Sequence, residues 1–276
     1  MFLHSFHPHP LIATIGSFQL HWYGLLLAVA TLVAISIIQW LGRKYKLDLN
    51  RLFDVSLITL VAGFIGARLY HVFNEWTYYH AHPIEIVKVW NGGLALHGGL
   101  LVGAVTLILL SRKWKWNPWL IADIFAPAMA IAQAIGRWGN YFNQELFGRP
   151  TKLPWGIFID NANRPPMYLT QPFYHPTFLY EFFGLLIIAA ILIWLHKQRF
   201  KKPEQLHNLR STGKIALVYV TLYSLLRIAT ETLRVDRTPI IGGIRLPILV
   251  SGFVIVAAII TMIIRHRRTH VNSAHR

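Results

Sequence analysis

Seven long apolar stretches constrain this sequence more than any other feature. A helix needs about 20 residues to cross the hydrocarbon core of a bilayer, and each stretch approaches or reaches that length. The stretches are Leu20–Leu41, Leu52–Phe73, Leu94–Leu110, Leu120–Ile135, Thr177–Leu195, Ile215–Thr230 and Leu246–Ile264. The composition, 54% hydrophobic and 14% charged, agrees with a membrane protein. We therefore expect an all-α integral membrane protein with seven transmembrane helices in a single polytopic domain, residues 1–276.

The basic residues are distributed unevenly among the connecting segments. Seventeen Lys and Arg residues lie in every second segment, within residues 43–51, 112–115, 197–214 and 265–276, whereas eight lie in the segments between them. Because loops rich in Lys and Arg stay on the cytoplasmic side, we expect the N-terminus outside and the C-terminus in the cytoplasm. This topology and the attraction of anionic lipids account for the formal charge of +16 without nucleic acid as a partner.

The sequence contains no cysteine. Disulfides, thiolate metal sites and a cysteine nucleophile supplied by the protein are therefore excluded. There is also no His-Glu-x-x-His run, and the arginines near the polar positions described next disfavour a divalent cation. We expect neither a metal nor another cofactor.

Several polar residues interrupt the apolar stretches at one predicted depth. Arg68 follows Leu52 by a rise of about 24 Å along a helix that runs outward. The other polar residues predicted in the outer half of the bilayer are Tyr23, His97, Arg137, Glu181 and Arg227. For Arg68 or Glu181 alone, a snorkelling or interhelical contact is the favoured interpretation. Together they predict a functional cavity, because an unpaired charge in hydrocarbon costs at least ~2.5–3.5 kcal/mol.

The sixth stretch carries a polar stripe made of Tyr223, Arg227, Glu231 and Arg234. At ~100° per residue these positions occupy a sector of about 80°, and Arg227 and Glu231 have the i,i+4 spacing that lets side chains meet. Two interpretations stay open. The pair fixes the helix bundle, or Glu231 orients Arg227 toward an anion with Tyr223 beside it.

The fourth stretch leads into AIAQAIGRWGNYFNQELFGRP, residues 130–150. Its polar residues are Arg137, Asn140, Asn143, Gln144 and Glu145, and its glycines are Gly136, Gly139 and Gly148. A continuous helix would scatter these polar side chains around its axis. We therefore expect the glycines to let the backbone unwind around a site, as part of an outer polar elbow and loop at about 136–176. The alternative is an interfacial elbow whose amides cap the helix end.

His97 stands in the sequence NGGLALHGGLLVG. The neighbouring glycines are typical of close helix packing. A lone histidine is more often a satisfied polar contact than a catalyst, but this one shares the predicted outer layer with the arginines.

These motifs together resemble one family, the bacterial prolipoprotein diacylglyceryl transferases. The matching pieces are WYG at Trp22–Gly24, HGGL at His97–Leu100, GRWGNYFNQELFG at Gly136–Gly148, HPTFLYE at His175–Glu181 and RIATETLR at Arg227–Arg234. They follow the order of the family along nearly the whole chain, and the long central motif is the specific one. The sequence departs from the family at His21, at Thr177 and Phe178, and in VDRTPIIGGIRLP after Arg234.

The resemblance implies a seven-helix enzyme of the bacterial cytoplasmic (inner) membrane with an active site toward the outer leaflet. Such an enzyme transfers the diacylglyceryl group of phosphatidylglycerol to the lipobox cysteine of a prolipoprotein signal peptide, forming a thioether and releasing glycerol phosphate. It uses no cofactor or metal. By motif, Arg137 would contact the lipid head group, Arg227 would contact the phosphate, and His97 would be the base. The remaining site residues implied are Tyr23, Asn140, Glu145, Gly148, Tyr223, Glu231 and Arg234.

Other functions fit parts of the pattern. An anion or lipid transporter could use the same arginines in a central cavity, although no inverted repeat is visible and the polar layer is off-centre. Another phospholipid-processing enzyme or an intramembrane protease would need a Gly-x-Ser-x-Gly elbow or a paired-aspartate metal motif, and the sequence has neither.

Overall fold

The computed structural model describes residues 2–16, 18–202 and 212–274, and residues 203–211 lie outside them. Helices dominate, as the apolar stretches predict. They are α1 (Phe2–Ser5), α2 (Trp22–Lys44), α3 (Leu49–Asn74), α4 (Trp76–Ala81), α5 (Leu96–Lys113), α6 (Pro118–Phe142), α7 (Thr177–Phe200), α8 (Lys214–Glu231) and α9 (Leu246–Ala274).

In the described part of the chain, three two-stranded antiparallel sheets lie in the connections. Their strands are β1 (Leu11–Ile15) with β2 (Phe18–His21), β3 (Ile157–Phe158) with β4 (Phe173–Tyr174), and β5 (Ile240–Ile241) with β6 (Ile244–Arg245). The last hairpin turns through Gly242 and Gly243, at φ +58° and +80°. A two-residue turn with both φ values positive matches the twist of the strands, and glycine adopts it without strain.

Among the described residues six helices are long and apolar enough to cross a membrane, namely α2, α3, α5, α6, α7 and the Leu246–Arg265 part of α9. Large apolar side chains on them are exposed, such as Leu32 at 66% and Phe253 at 75%, as expected of surfaces that face lipid. The sixth predicted stretch forms α8, which has only 18 residues and includes Lys214, Arg227 and Glu231. Because these three charges lie within 18 residues, α8 is not counted with the six apolar helices.

The chain divides into two compact units. That it forms a single domain therefore stays a prediction. One unit comprises residues Ile38–Ile124. In it α3 and α5 pack at glycines, since a Cβ added to Gly66 would lie 2.5 Å from the Val102 side chain. Asp48 caps α3 by accepting hydrogen bonds from the backbone N–H groups of Asn50 and Arg51.

The other unit comprises Met1–Ile37 and Phe125–Arg276. Its helices α6, α7 and α8 share a buried core made of Ala126, Ala130, Ile188, Ala189, Leu192, Ile215 and Tyr219. A second, aromatic core holds the loop after α6 and includes Tyr141, Phe147, Tyr174 and Phe178.

The prediction that the backbone unwinds at Gly136 and Gly139 was wrong. Helix α6 continues through both glycines to Phe142. Gly139 serves packing instead, because a Cβ there would lie 2.5 Å from the ring of Tyr23. The chain leaves the helix only after Phe142, and Gln144 and Leu146 adopt left-handed conformations, at φ +51° and +57°.

Candidate active site

Glu181 lies at the centre of a group of arginines in the unit that contains α6, α7 and α8. It stands in the second turn of α7 and is 3% exposed. One carboxylate oxygen, Oε2, forms an ion pair with Nε of Arg137 in α6. The other, Oε1, lies 3.4 Å from Nη1 of Arg227 in α8 and accepts a hydrogen bond of 3.0 Å from the hydroxyl of Thr230. One carboxylate thus joins arginines from two helices.

Arg137 connects this carboxylate to the turn that follows α6. Its Nη1 donates to Asn140 Oδ1 at 3.3 Å, and Asn140 Nδ2 donates to Glu145 Oε1 at 2.8 Å. Asn143 donates to the same oxygen at 3.4 Å. Arg137, Asn140, Asn143 and Glu145 therefore lie together, as predicted. The end of α6 and a left-handed turn bring them together, and the helix itself is not unwound.

Glu231 is a second shared carboxylate, at the last residue of α8, and it is fully buried. Its Oε2 lies 2.6 Å from Nη2 of Arg227, and its Oε1 accepts a hydrogen bond of 2.8 Å from Nε of Arg245. The i,i+4 contact predicted between Arg227 and Glu231 is therefore present. Because Arg227 also reaches Glu181, the pair belongs to a larger network.

Arg234 and Gly148 close this network on the side of the loop. The guanidinium of Arg234 is buried, with Nε donating to Asp236 Oδ1 at 2.7 Å and Nη1 lying 3.8 Å from Glu181. Gly148 forms a backbone bridge to Arg234, and its N–H donates to the carbonyl of His175 at 2.9 Å. A Cβ at Gly148 would lie 2.8 Å from Cβ of His175, so glycine lets the two backbones meet.

His175 precedes α7 and packs beside Gly148. Burial lowers the pKa of its imidazole from the usual value, because desolvation disfavours the charged ring. Its Nδ1 lies 3.1 Å from the hydroxyl of Tyr180. The lowered pKa favours the neutral ring.

A buried amide holds the loop that carries these groups. Gln144 Nε2 donates to the carbonyl of Pro8 at 2.8 Å and to Asp160 Oδ2 at 2.5 Å. Its Oε1 accepts from the N–H of Asp160 at 2.6 Å. Gln144 therefore joins the N-terminal segment and the loop to the turn after α6.

The two predicted tyrosines lie in the same unit. Tyr23 packs its ring on Gly139 of α6 and is 45% exposed. The ring of Tyr223 stacks 6.0 Å from that of Tyr219, whose hydroxyl donates to Gln133 at 2.9 Å. Neither position is assigned a role by these contacts alone.

Arg68 and His97 belong to the other unit. The guanidinium of Arg68 is buried and donates to five backbone carbonyls, those of Glu85, Ile86, Lys88, Gly92 and Gly93. It also lies 5.2 Å from the ring of Tyr79. His97 is the second residue of α5 and is exposed, with its ring 6.3 Å from that of Tyr70. Arg68 thus organises a loop, and the role of His97 stays a prediction.

Two network residues, Asp236 and Arg245, were not assigned to the site from the sequence. Glu181 was predicted to belong to the outer polar layer, but nothing in its spacing connects it to Arg137 or Arg227. Asp236 and Arg245 follow the last family motif, in a segment that departs from the family. An arginine and an aspartate between two apolar stretches are the only signal that could have drawn attention to them.

The arrangement can bind an anion that presents several acceptor oxygens, such as a phosphate. Guanidinium groups held by carboxylates are preorganised and match phosphate geometry. Within the described residues Nε of Arg137 pairs with Glu181 and Nη1 donates to Asn140, so N–H groups of Nη1 and Nη2 remain for a ligand.

Comparison with known proteins agrees with these motifs. The family model described as prolipoprotein diacylglyceryl transferase matches residues 10–264. The phosphatidylglycerol–prolipoprotein diacylglyceryl transferase of Synechococcus elongatus is 40% identical over 244 residues, which cover 88% of this chain and 83% of the relative. The protein of the same name from Synechocystis is 41% identical over 244 residues, covering 88% and 84%. The chain therefore belongs to the prolipoprotein diacylglyceryl transferase family.

Proposed function

We propose that this chain transfers the diacylglyceryl group of phosphatidylglycerol to the thiol of the lipobox cysteine in a prolipoprotein signal peptide. The names of the relatives support both substrates. The observation that carries the proposal is the convergence of Arg137 and Arg227 on Glu181, from two different helices. Together the guanidinium groups of Arg137 and Arg227 can bind one lipid phosphate. The alternative of an anion or lipid transporter is not favoured by the relatives.

The reaction forms a carbon–sulfur bond and breaks a carbon–oxygen bond. The thiol proton passes to a base, and the thiolate attacks the glyceryl carbon that carries the phosphate. The electron pair of the broken bond stays on the phosphate oxygen, so a phosphodiester with one negative charge becomes glycerol phosphate with two. Positive groups fixed beside that oxygen stabilise the developing charge. Arg137 and Arg227 take this role in the proposal.

The reaction needs a base because a thiol with a pKa near ~8.5 is a poor nucleophile until it is deprotonated. His97 is the base in this proposal, by its motif. Asn140 and Glu145 would bind the glycerol head group, while Tyr23, Gly148, Tyr223, Glu231 and Arg234 would shape the remaining site.

The chain would work in the bacterial cytoplasmic membrane. We assign seven spans to it, with α8 as the polar seventh, because a helix that carries site residues cannot be uniformly apolar. The distribution of basic residues supports an outer N-terminus. The loop at 143–176 and the site would then face the outer leaflet.

The test is incubation of the purified protein with phosphatidylglycerol and a synthetic lipobox peptide, followed by mass spectrometry. We expect the peptide to gain one diacylglyceryl group in a thioether that resists hydroxylamine. A matched peptide with serine in place of cysteine should gain nothing. A product on both peptides, or none on either, would contradict the proposal.

A further inference from the structure

Glu231 occupies a position that disfavours its charge. It is the last residue of α8, fully buried, where the helix dipole presents its negative end. A buried carboxylate there needs cationic partners. Nη2 of Arg227 lies 2.6 Å from Oε2 of Glu231 and Nε of Arg234 lies 3.9 Å from it, but with Arg227 as its main partner Glu231 would neutralise that arginine and make it less able to attract an anion.

Arg245 supplies a further cation to this carboxylate, beside Arg227 and the more distant Arg234. Its Nε donates to Glu231 Oε1 at 2.8 Å, and its Nη2 donates to the carbonyl of Asp236 at 3.0 Å. Nη2 also lies 3.7 Å from Asp236 Oδ2. The side chain is held by the end of β6, where the short hairpin returns to α9. Arg245 therefore approaches Glu231 by the oxygen that Arg227 does not use.

The charges of the ion-paired network do not cancel. Among the described residues it joins four guanidinium groups, on Arg137, Arg227, Arg234 and Arg245, to three carboxylates, on Glu181, Glu231 and Asp236. Glu145 is exposed and bonded to amides, so water screens it. The network is left with one positive charge, which matches the single negative charge of a phosphodiester.

We propose that Arg245 is a further positioning residue of the transfer reaction, which shares Glu231 with Arg227 and so leaves the site one positive charge for the lipid phosphate. The inference rests on the function proposed above. Arg245 itself does not contact the substrate; it acts through Glu231. Without it, three guanidinium groups would face three carboxylates, and the attraction for the phosphate and for the leaving group would weaken.

The test compares three variants chosen for their charge. Arg245→Gln removes the excess charge, and Arg245→Gln combined with Asp236→Asn restores it by removing one carboxylate. Arg237→Gln is the matched control, because Arg237 is an exposed arginine of the same connection between α8 and α9. Thermal unfolding in detergent is measured for each protein.

Two quantities are compared: equilibrium binding of head-group-labelled phosphatidylglycerol, and kcat/KM for transfer. We expect Arg245→Gln to weaken both on the order of tenfold, mainly through Kd and KM. The double variant should recover at least half of that loss on a logarithmic scale, and Arg237→Gln should equal the wild type. Wild-type binding in Arg245→Gln, or no recovery in a stably folded double variant, would overturn the proposal.

Asp236→Asn alone keeps the proposal testable if Arg245→Gln does not fold. It raises the net charge of the network by one, so lipid binding should be equal or tighter, and weaker binding would overturn the inference. Binding does not depend on turnover. Charge-dependent binding without any thioether product would therefore refute the proposed reaction and leave only the contribution of Arg245 to lipid binding standing.

Discussion

Arg68 in α3 and Arg137 in α6 are both arginines within apolar helices, but their guanidinium groups meet different partners. Arg68 donates to five backbone carbonyls between Glu85 and Gly93. Arg137 meets the carboxylate of Glu181 and one amide. Carbonyls are neutral and fixed by the chain, so they use up the donors of Arg68 and hold a loop. The carboxylate that Arg137 meets is shared with other arginines. The guanidinium of Arg137 therefore keeps positive charge and N–H donors for a ligand.

The comparison teaches that a charge in an apolar helix does not by itself identify a site. Both arginines cost free energy to place in hydrocarbon, and the identity of their acceptors separates a structural role from a binding role. Substitutions at these arginines and at residues around them test this difference.

The largest effect is expected at Arg137. Lysine keeps its charge but cannot make a fork of hydrogen bonds. We expect Arg137→Lys and Arg137→Gln to lower the initial rate of transfer by about 100-fold or more, since a transition-state contact of ~2.7–4 kcal/mol is removed. Both variants should remain folded in detergent, which a melting curve of each protein checks.

The matched control is Lys152→Gln, an exposed cation in the loop that follows the site, and its rate should not change. Near-normal transfer by Arg137→Lys would show that charge alone suffices. Near-normal transfer by Arg137→Gln would remove Arg137 from the site.

The opposite pattern is expected at Arg68. Arg68→Gln leaves most of the five carbonyls without a donor, which should cost about 3 kcal/mol of unfolding free energy and lower Tm by roughly 6–12 °C. The transfer rate per folded molecule should change little. A variant with normal Tm and no activity would give Arg68 a role in the reaction. It would contradict the distinction between a structural role for Arg68 and a binding role for Arg137.

His97 tests whether the unit of Arg68 also contributes chemistry. If His97 is the base, His97→Gln should lower transfer on the order of 30-fold near pH 7, where a thiol of pKa ~8.5 is only slightly ionised. Activity should recover as the pH rises toward the pKa of the peptide thiol. An equal loss at every pH would indicate that His97 positions lipid or packs α5.

The smallest effect is expected from a pair of labelling variants that leave transfer unchanged. Because the chain lacks cysteine, Lys201→Cys and Asn161→Cys each introduce a single thiol. The topology predicts that an impermeant maleimide reaches residue 201 only from the cytoplasm and residue 161 only from outside. The reverse result would place the loop beside Arg137 on the wrong side for an outer-leaflet lipid.

The sequence was informative where a regular helix determines the outcome. The apolar stretches became helices, and the i,i+4 spacing of Arg227 and Glu231 became a contact. Helical periodicity fixes which side chains share a face, and neither result depends on tertiary structure.

The same reasoning failed at the end of α6. Glycines lower helix propensity by only about 1 kcal/mol, and packing of Tyr23 on Gly139 outweighs that preference. The left-handed turn was not foreseen, because Gln144 and Leu146 are not residues that usually adopt positive φ. The buried contacts of Gln144 with Pro8 and Asp160 hold that turn, and they join residues far apart in the chain.

The centre of the site was also beyond the sequence. Glu181 and Arg245 stand 46 residues and 18 residues away from Arg227, and no periodicity links positions on different helices. Only the packing of α7 on α8 and the return of the β5–β6 hairpin bring them to the same network.

The most direct test of the account is a double-mutant cycle on kcat/KM for phosphatidylglycerol, with Arg137→Gln, Arg227→Gln and both together. If Glu181 holds the two guanidinium groups on one phosphate, their losses are coupled, and the double variant should be less than tenfold worse than the poorer single variant. Fully additive losses, with each substitution acting as strongly in the double variant as alone, would contradict the shared site.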